Sequence, residues 1–317
     1  MIEVSHLTKR YGTRTAVDDV SFRIEPGRVT GFLGPNGAGK STTLRMILGL
    51  DRPTSGRATV DGRAYADLAA PIRSVGAMLD GRTVHPGRTA AAHLRSIADT
   101  HELPRTRVQE VLELTGLREV ARRRVGTFSL GMTQRLGIAA ALLGDPRTIL
   151  LDEPVNGLDP EGVLWIRALT RRMAAEERAV LISSHLMSEV AQTVDQVLVL
   201  GAGRVLADAP LHELLTAEAA PLVRLRADDL ARLVGPLIAA GGSVSETEPR
   251  AADVVGLTAE QVARIAADRG VVLSELTAVE RSLEDAYFAL TADAVQYRST
   301  AAGDEPRPAQ RTKEPRR

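Results

Sequence analysis

The 317-residue chain contains no cysteine, which excludes disulfide bonds, thiolate metal sites and cysteine nucleophiles. Aromatic residues make up only 3% of the sequence, and lysine is almost absent, since 37 of the 40 basic residues are arginines. The formal net charge is zero, so no global basic field favours nucleic acid as a partner. We therefore expect a protein of a reduced, cytosolic setting that does not bind nucleic acid.

Long hydrophobic runs are also missing. Apolar stretches such as 138–144 are far shorter than the roughly 18 to 20 residues that cross a bilayer. The first four residues already show a strand-like pattern, without the charged and apolar regions of a secretory signal. We expect a chain that starts folded and reaches a membrane only through another protein. Its hydrophobic content of 44% is sufficient for the cores of two domains.

A glycine-rich phosphate-binding pattern is the most informative feature that is present. The pattern G-x-x-x-x-G-K-[ST] is completed by Gly34, Pro35, Asn36, Gly37, Ala38, Gly39, Lys40 and Ser41. It lies between an apolar run at 29–33 and a helical pattern that begins at Thr42. Backbone N–H groups of such a loop surround a β-phosphate, Lys40 neutralises β- and γ-oxygens, and the Ser41 hydroxyl can bind Mg²⁺. The sequence therefore predicts a nucleoside triphosphate site.

Strand-like and helical patterns alternate along the chain, which predicts an α/β layer fold. Strand-like runs fall at 2–4, 17–24, 29–33, 58–60, 75–79, 148–151, 179–183 and 197–200. Helical stretches fall at 41–50, 90–98, 105–115, 130–143, 162–175 and 186–193. The region at about 82–145 reads as a helical insertion into the sheet domain.

The last third of the chain predicts a second, smaller unit. Residues 201–205 read as a hairpin turn, followed by a helix to about residue 219, and we place the first domain at 1–220. A new alternation of strands and helices predicts a small α+β domain at 221–298, which ends in a helix at 279–290. Residues 299–317 lack apolar periodicity and are predicted to be disordered.

Two adjacent carboxylates follow the apolar strand predicted at 148–151. Behind a phosphate loop, Asp152 at a strand end can hold Mg²⁺ through water, and Glu153 can act as general base on the attacking water. The alternative for Glu153 is a solvated turn carboxylate before Pro154. The pairing with the loop makes Glu153 the predicted catalytic residue.

The segment Ser129-Leu130-Gly131-Met132-Thr133-Gln134-Arg135 begins 23 residues before Asp152 and resembles the signature sequence of ABC ATPases. All motifs occur in the order of the ATP-binding subunits of ABC transporters, over about the first two-thirds of the chain. The resemblance implies a P-loop NTPase cassette with a RecA-like core, an antiparallel β subdomain and a helical subdomain. It also implies ATP and Mg²⁺ as cofactors and ATP hydrolysis as the activity.

The resemblance implies further site residues. His185 is the switch histidine at the γ-phosphate, and Tyr11 stacks on adenine. Residues 156–159 form a D-loop, whose Asp159 is expected to cross the dimer interface and couple the two sites. In a head-to-tail dimer, Ser129 and Gly131 contact the nucleotide bound to the other subunit, and a homodimer is favoured. The simpler alternatives are a surface histidine, a turn tyrosine and an Asp159 that caps a helix. The cap and the interface role are compatible.

The chain departs from the family pattern at three positions. Leu130 replaces the first signature glycine and Met132 replaces a frequent glutamine, which predicts slow hydrolysis. Asp80 stands where the family has the Q-loop glutamine, and it is predicted to contact Mg²⁺ and the attacking water. The segment 81–94 that follows is the predicted docking surface for a membrane subunit.

The function implied is the ATP-hydrolysing subunit of an ABC exporter that drives a separately encoded membrane permease. The single cassette followed by a C-terminal unit that ends in residues 282–291 is similar to subunits of drug and antibiotic exporters, which predicts such cargo or another hydrophobic one. The subunit would be cytoplasmic and peripheral on the inner face of the membrane. The alternative is a non-transport ABC ATPase that acts on a ribosome or nucleic acid. It is disfavoured by the single cassette and by the absence of long heptads and cysteine.

Overall fold

The computed structural model describes residues 1–79, 84–184, 187–216, 220–279 and 282–291. The first nine strands are β1 Ile2–Tyr11, β2 Arg14–Ile24, β3 Val29–Leu33, β4 Ser55–Val60, β5 Val75–Met78, β6 Thr148–Leu151, β7 Ala179–Ser183, β8 Gln196–Gly201 and β9 Arg204–Pro210. The first eight helices are α1 Lys40–Ile47, α2 Pro71–Ser74, α3 Ala90–Thr100, α4 Arg105–Leu114, α5 Leu130–Leu142, α6 Pro160–Ala175, α7 Met187–Ala191 and α8 Leu211–Thr216.

Six of these strands form one sheet in the order β5-β6-β7-β3-β8-β9. Neighbours are parallel except for the last pair, β8 and β9. In β6, Ile149 and Leu151 face one hydrophobic core while Leu150 faces the other, so the sheet is covered on both sides. Because β3 and β6 run in the same direction, the loop after β3 and the carboxylates after β6 lie at the same edge.

A three-stranded antiparallel sheet, in the order β2-β1-β4, packs against the core of the six-stranded sheet. Phe22 of β2 and Phe32 of β3 bring their ring centroids within 5.9 Å. On the other side, α3, α4 and α5 pack on one another around buried residues such as Leu94, Val108 and Leu136. The predicted α/β cassette, with an antiparallel β subdomain and a helical region, is confirmed.

The C-terminal unit has a separate hydrophobic core. Its elements are β10 Leu222–Ala227, α9 Ala231–Ala239, β11 Ser243–Glu248, β12 Ala251–Val255, α10 Ala259–Asp268 and β13 Leu273–Val279. The strands form an antiparallel sheet in the order β11-β12-β10-β13. Along the chain the elements follow the order β-α-β-β-α-β, which is that of ferredoxin-like folds. Thr258 begins α10 with a capping box that includes Gln261.

The last described helix, α11 Leu283–Thr291, packs on the cassette rather than on the ferredoxin-like unit. It contacts α7 and α8, and Leu283, Ala286 and Tyr287 belong to a core cluster of the cassette. Burial raises the pKa of Tyr287 to about 12. The sequence assigned this helix to the accessory domain at 221–298, whereas its packing joins that domain to the cassette.

Several elements differ from the sequence expectations. Helix α1 ends at Ile47 rather than residue 50, because the chain turns at Gly49 with φ +67°. The hairpin after β8 continues into β9, which replaces the first part of the helix expected to reach residue 219. Strand β11 has the polar sequence SVSETE at a sheet edge, so hydrophobic periodicity does not reveal it. No helix in the described ranges is long and apolar enough to cross a bilayer.

Candidate nucleotide site

The glycine-rich loop joins β3 to the N-terminus of α1. Gly39 caps this helix with φ +106°, and a Cβ atom there would lie 2.5 Å from the carbonyl oxygen of Ala16. Gly37 has φ +82°, which also favours glycine. The first turn of α1 contains no acidic residue of its own, and the positive end of its dipole faces the loop. This arrangement suits a bound anion.

Lys40 is largely buried, with 8% of its surface exposed. Its ammonium group donates to the carbonyl oxygens of Gly34 and, at 3.3 Å, of Pro35. Burial lowers the pKa of Lys40, and the carboxylates of Glu153 and Asp152 partly oppose this shift. A phosphate group beside Lys40 would stabilise the charged form further.

Asp152 connects the phosphate loop to the neighbouring strand β7. The Ser41 hydroxyl donates to Oδ2 of Asp152 at 2.9 Å, and the Ser183 hydroxyl donates to Oδ1. Both carboxylate oxygens are therefore oriented by hydroxyl groups from separate parts of the chain. Hydroxyl and carboxylate oxygens are ligands that Mg²⁺ accepts, so the donor set fits this ion.

Glu153 follows Asp152 with a left-handed backbone, φ +50°. Its N–H group donates to the Ser183 hydroxyl oxygen at 2.9 Å, so Ser183 contacts both residues of the carboxylate pair. A left-handed backbone at a residue other than glycine is typical of a tight turn. The turn brings Glu153 into the lining of the cavity beside the loop.

That cavity has a volume of about 590 Å³. It is lined by Tyr11, Arg14, Ala16, Pro35, Asn36, Gly37, Ala38, Gly39, Lys40, Ser41, Thr42, Asp152 and Glu153. The Tyr11 hydroxyl donates to Asp51 at 3.3 Å, and the Lys9 ammonium lies 5.0 Å from the ring centroid. Tyr11 is nevertheless half exposed.

Sequence reasoning missed Arg14 and Ala16 in this lining. Arg14 pairs with Tyr11 across the β1–β2 hairpin, so both residues lie on the same side of the sheet. The signal available in the sequence was the turn at Gly12, which fixes this register. No residue pattern of the phosphate loop itself points to the hairpin.

The signature and D-loop residues lie elsewhere on the cassette. Ser129 caps α5 by accepting from the N–H of Met132 at 3.2 Å, and Asp159 caps α6 by accepting from the N–H of Gly162 at 2.9 Å. Within the described part of the chain, neither these residues nor Gly131 line the cavity. Their predicted contacts with a nucleotide of another subunit stay predictions. Asp80 and His185 lie outside the described residues.

Comparisons with known proteins agree with this geometry. Residues 17–156 match the ABC transporter family. The bacitracin transport ATP-binding protein BcrA of Bacillus licheniformis is 41% identical over 219 residues, which cover 68% of this chain and 71% of BcrA. The chain belongs to the ATP-binding proteins of ABC transporters. The resemblance drawn from the motifs is confirmed, and with it the assignment as an ATP-hydrolysing enzyme.

Other members of the ABC family align over a similar length. The Nod factor export ATP-binding protein I of Ralstonia nicotianae is 36% identical over 241 residues, which are 74% of each chain. Among solved structures, the cassette MJ0796, a dimer bound to ADP and Pi, matches with a TM-score of 0.60 and 25% identity. That match covers 67% of this chain and 99% of MJ0796. Residues 221–284 match a separate family, a domain of unknown function.

Proposed function

We propose that the 590 Å³ cavity holds ATP, with the triphosphate against the loop and the adenine beside Tyr11. The observation that carries this proposal is the joint placement of Lys40, Ser41, Asp152 and Glu153 around one cavity. The proposed contacts from one chain are Tyr11, Gly34, Pro35, Asn36, Gly37, Ala38, Gly39, Lys40, Ser41 and Thr42. A second copy of the chain would contribute Ser129, Gly131 and Asp159.

Mg²⁺ would be held beside Ser41 and Asp152, with Asp80 as a further predicted ligand. The described residues contain no cluster of three acidic or histidine side chains that could form a complete metal cage. Mg²⁺ is usually bound by one or two carboxylates together with phosphate and water. When bound, the ion would neutralise charge on the phosphate oxygens. Ser183 would keep Asp152 in the required orientation.

Glu153 would act as the general base. It would accept a proton from the water that attacks the γ-phosphate, and ATP and water would become ADP and phosphate. The hydrogen bond from its N–H group to Ser183 fixes the start of the turn that directs the side chain to the cavity. The predicted role of His185 at the γ-phosphate completes this proposal.

A head-to-tail homodimer would complete each site. Ser129 caps α5 and is exposed, while the cavity of the same chain is lined by other segments. The N–H groups at the start of α5 would contact the γ-phosphate bound to the other copy, where the helix dipole favours an anion. ATP binding would close the dimer and phosphate release would reopen it.

The transported cargo would be an antibiotic or another hydrophobic molecule, exported through a separate membrane permease. Support comes from the similarity to a bacitracin transport protein. The similarity to a Nod factor export protein argues that the cassette alone does not determine cargo. The cassette would sit on the cytoplasmic face of the membrane through the permease, with the segment 81–94 as its docking surface.

Glu153→Gln gives the decisive test because it keeps the shape of the side chain and removes the base. We expect the purified variant to bind ATP as tightly as the unmodified chain while hydrolysis falls by about 10²-fold or more. Unchanged turnover would rule out Glu153 as the base. Glu176→Gln, on the exposed end of α6, is the matched control and should leave turnover unchanged.

The same Glu153→Gln variant tests the transport proposal. Expressed with a tag in its host and purified from mildly solubilised membranes with ATP, it should retain a polytopic membrane protein at near-equal stoichiometry. Recovery with ribosomes or nucleic acid instead would favour the non-transport alternative and leave the ATPase assignment intact.

A further inference from the structure

The leucine in the signature segment has a specific partner in the same chain. Leu130 is the first residue of α5, and 41% of its surface is exposed. Its side chain lies against Gly157 of the D-loop, where a Cβ atom would come within 2.1 Å of Leu130 Cδ2 and 2.5 Å of Cγ. Leu130 therefore occupies the space that any side chain at position 157 would require.

Two further contacts join the same segments. A Cβ atom at Gly131 would lie 3.3 Å from Leu158 Cδ2, which shows how closely the helix and the loop approach. The buried Gln134 donates from Nε2 to the carbonyl oxygen of Asn156 at 3.3 Å. Leu130, Gly131 and Gln134 of α5 thus each contact the D-loop, and Leu130 lies at the exposed end of this row of contacts.

The D-loop connects Glu153 to the next helix. It consists of residues 156–159, so it begins three residues after Glu153, and it ends at Asp159, which caps α6. A side chain packed on Gly157 therefore restrains the segment that leaves Glu153. On the Leu130 side, the same contact restrains the exposed N-terminus of α5, which is next to Ser129.

We propose that Leu130 is a positioning residue that couples the signature end of α5 to the Glu153 segment, with Gly157 as its required partner. This inference rests on the proposed function, in which Ser129 contacts the nucleotide bound to the other copy and Glu153 acts on the nucleotide bound to its own chain. The contact then links the two nucleotide sites of a dimer. In this proposal Leu130 has a positioning role of its own in the signature segment, in addition to standing where the family has a glycine.

A double-mutant cycle tests the contact. We expect Gly157→Ala to break it, because a Cβ atom 2.5 Å from Cγ forces a χ1 rotation of Leu130 or separation of the segments. Gly62→Ala is the matched control, since Gly62 has φ +79°, close to the +75° of Gly157, and no neighbour within 4 Å of an added Cβ. It measures the backbone strain alone.

The expected result is non-additivity. Leu130→Ala combined with Gly157→Ala should have little more effect on the unfolding temperature than Gly157→Ala alone, because the contact is already lost. Leu130→Ala combined with Gly62→Ala should show the sum of the two separate effects. Additive effects in both pairs would overturn the contact.

The positioning role is tested by steady-state hydrolysis of MgATP by the full-length chain. We expect Leu130→Ala to bind ATP as tightly as the unmodified chain, to lose about tenfold in kcat, and to show a Hill coefficient reduced toward one. A Hill coefficient and kcat equal to those of the unmodified chain would overturn the proposal. Failure of the unmodified chain to hydrolyse ATP would instead count against the proposed function, and the unfolding cycle would still decide the contact.

Discussion

The phosphate-loop edge of the cassette and the sheet of the ferredoxin-like unit hold their charged residues in opposite ways. Around the cavity, Lys40 and Asp152 are hydrogen-bonded by uncharged groups, namely loop carbonyls and two hydroxyls. On the C-terminal sheet, Arg224 pairs with Asp253 at 2.8 Å and Arg226 pairs with Glu248 at 2.8 Å. Uncharged partners orient a charge without neutralising it, so the cassette edge suits an ionic ligand. In an ion pair between strands the two charges neutralise each other, and the pair adds to the stability of the sheet.

The largest expected effect concerns the cassette edge. Lys40→Ala removes the buried cation that faces the phosphates, and we expect binding of ATP to fall by about 10²-fold or more. The measurement is titration with a fluorescent ATP analogue. Arg57→Ala, an exposed residue of β4, is the control, and equal affinities in the two variants would contradict the role of Lys40.

A core substitution in the other region should affect stability without affecting the chemistry. Leu225 is fully buried in the C-terminal core, and Leu225→Ala should destabilise that unit by about 2–5 kcal/mol. Calorimetry should show a lower transition for that unit, while ATP binding stays normal. Loss of ATP binding by the folded protein would show that the two regions depend on each other more closely than the separate cores indicate.

A third substitution separates orientation from charge within the cassette. Ser183→Ala removes the hydroxyl that contacts both Asp152 and the Glu153 N–H group. We expect kcat to fall by about tenfold, which corresponds to roughly 1.4 kcal/mol, with ATP affinity little changed. Ser183→Thr retains the hydroxyl and should recover part of the activity. An unaffected kcat in Ser183→Ala would mean that β7 does not orient the carboxylates.

The smallest effect is expected from the C-terminal ion pair. Arg224→Met should shift the unfolding temperature by no more than about 2 °C, because exposed pairs contribute little. Arg224 holds the pKa of Asp253 below its usual range, so this contribution is present at neutral pH and is lost as the pH falls through that lowered pKa. Unfolding temperatures of both proteins across acid pH would check the sign. A large shift would assign the pair a structural importance comparable to a core residue.

Local patterns made much of the candidate site predictable. The phosphate loop needs glycine for its backbone, and the strand at β6 ends in two carboxylates, so both are visible within a few residues. Long or strongly apolar elements such as β3 and α6 were also located closely. The polar edge strand β11 was missed because its side chains are mostly exposed and carry no alternating pattern.

By itself, the sequence determined the family, the α/β cassette, the phosphate loop and the residues expected to bind ATP. Only the tertiary structure decided that Ser183 holds both carboxylate residues, that Leu130 packs on Gly157, and that α11 returns to the cassette. The first set depends on backbone requirements and periodicity over short stretches. The second depends on contacts between segments that are distant along the chain, and packing alone brings these together.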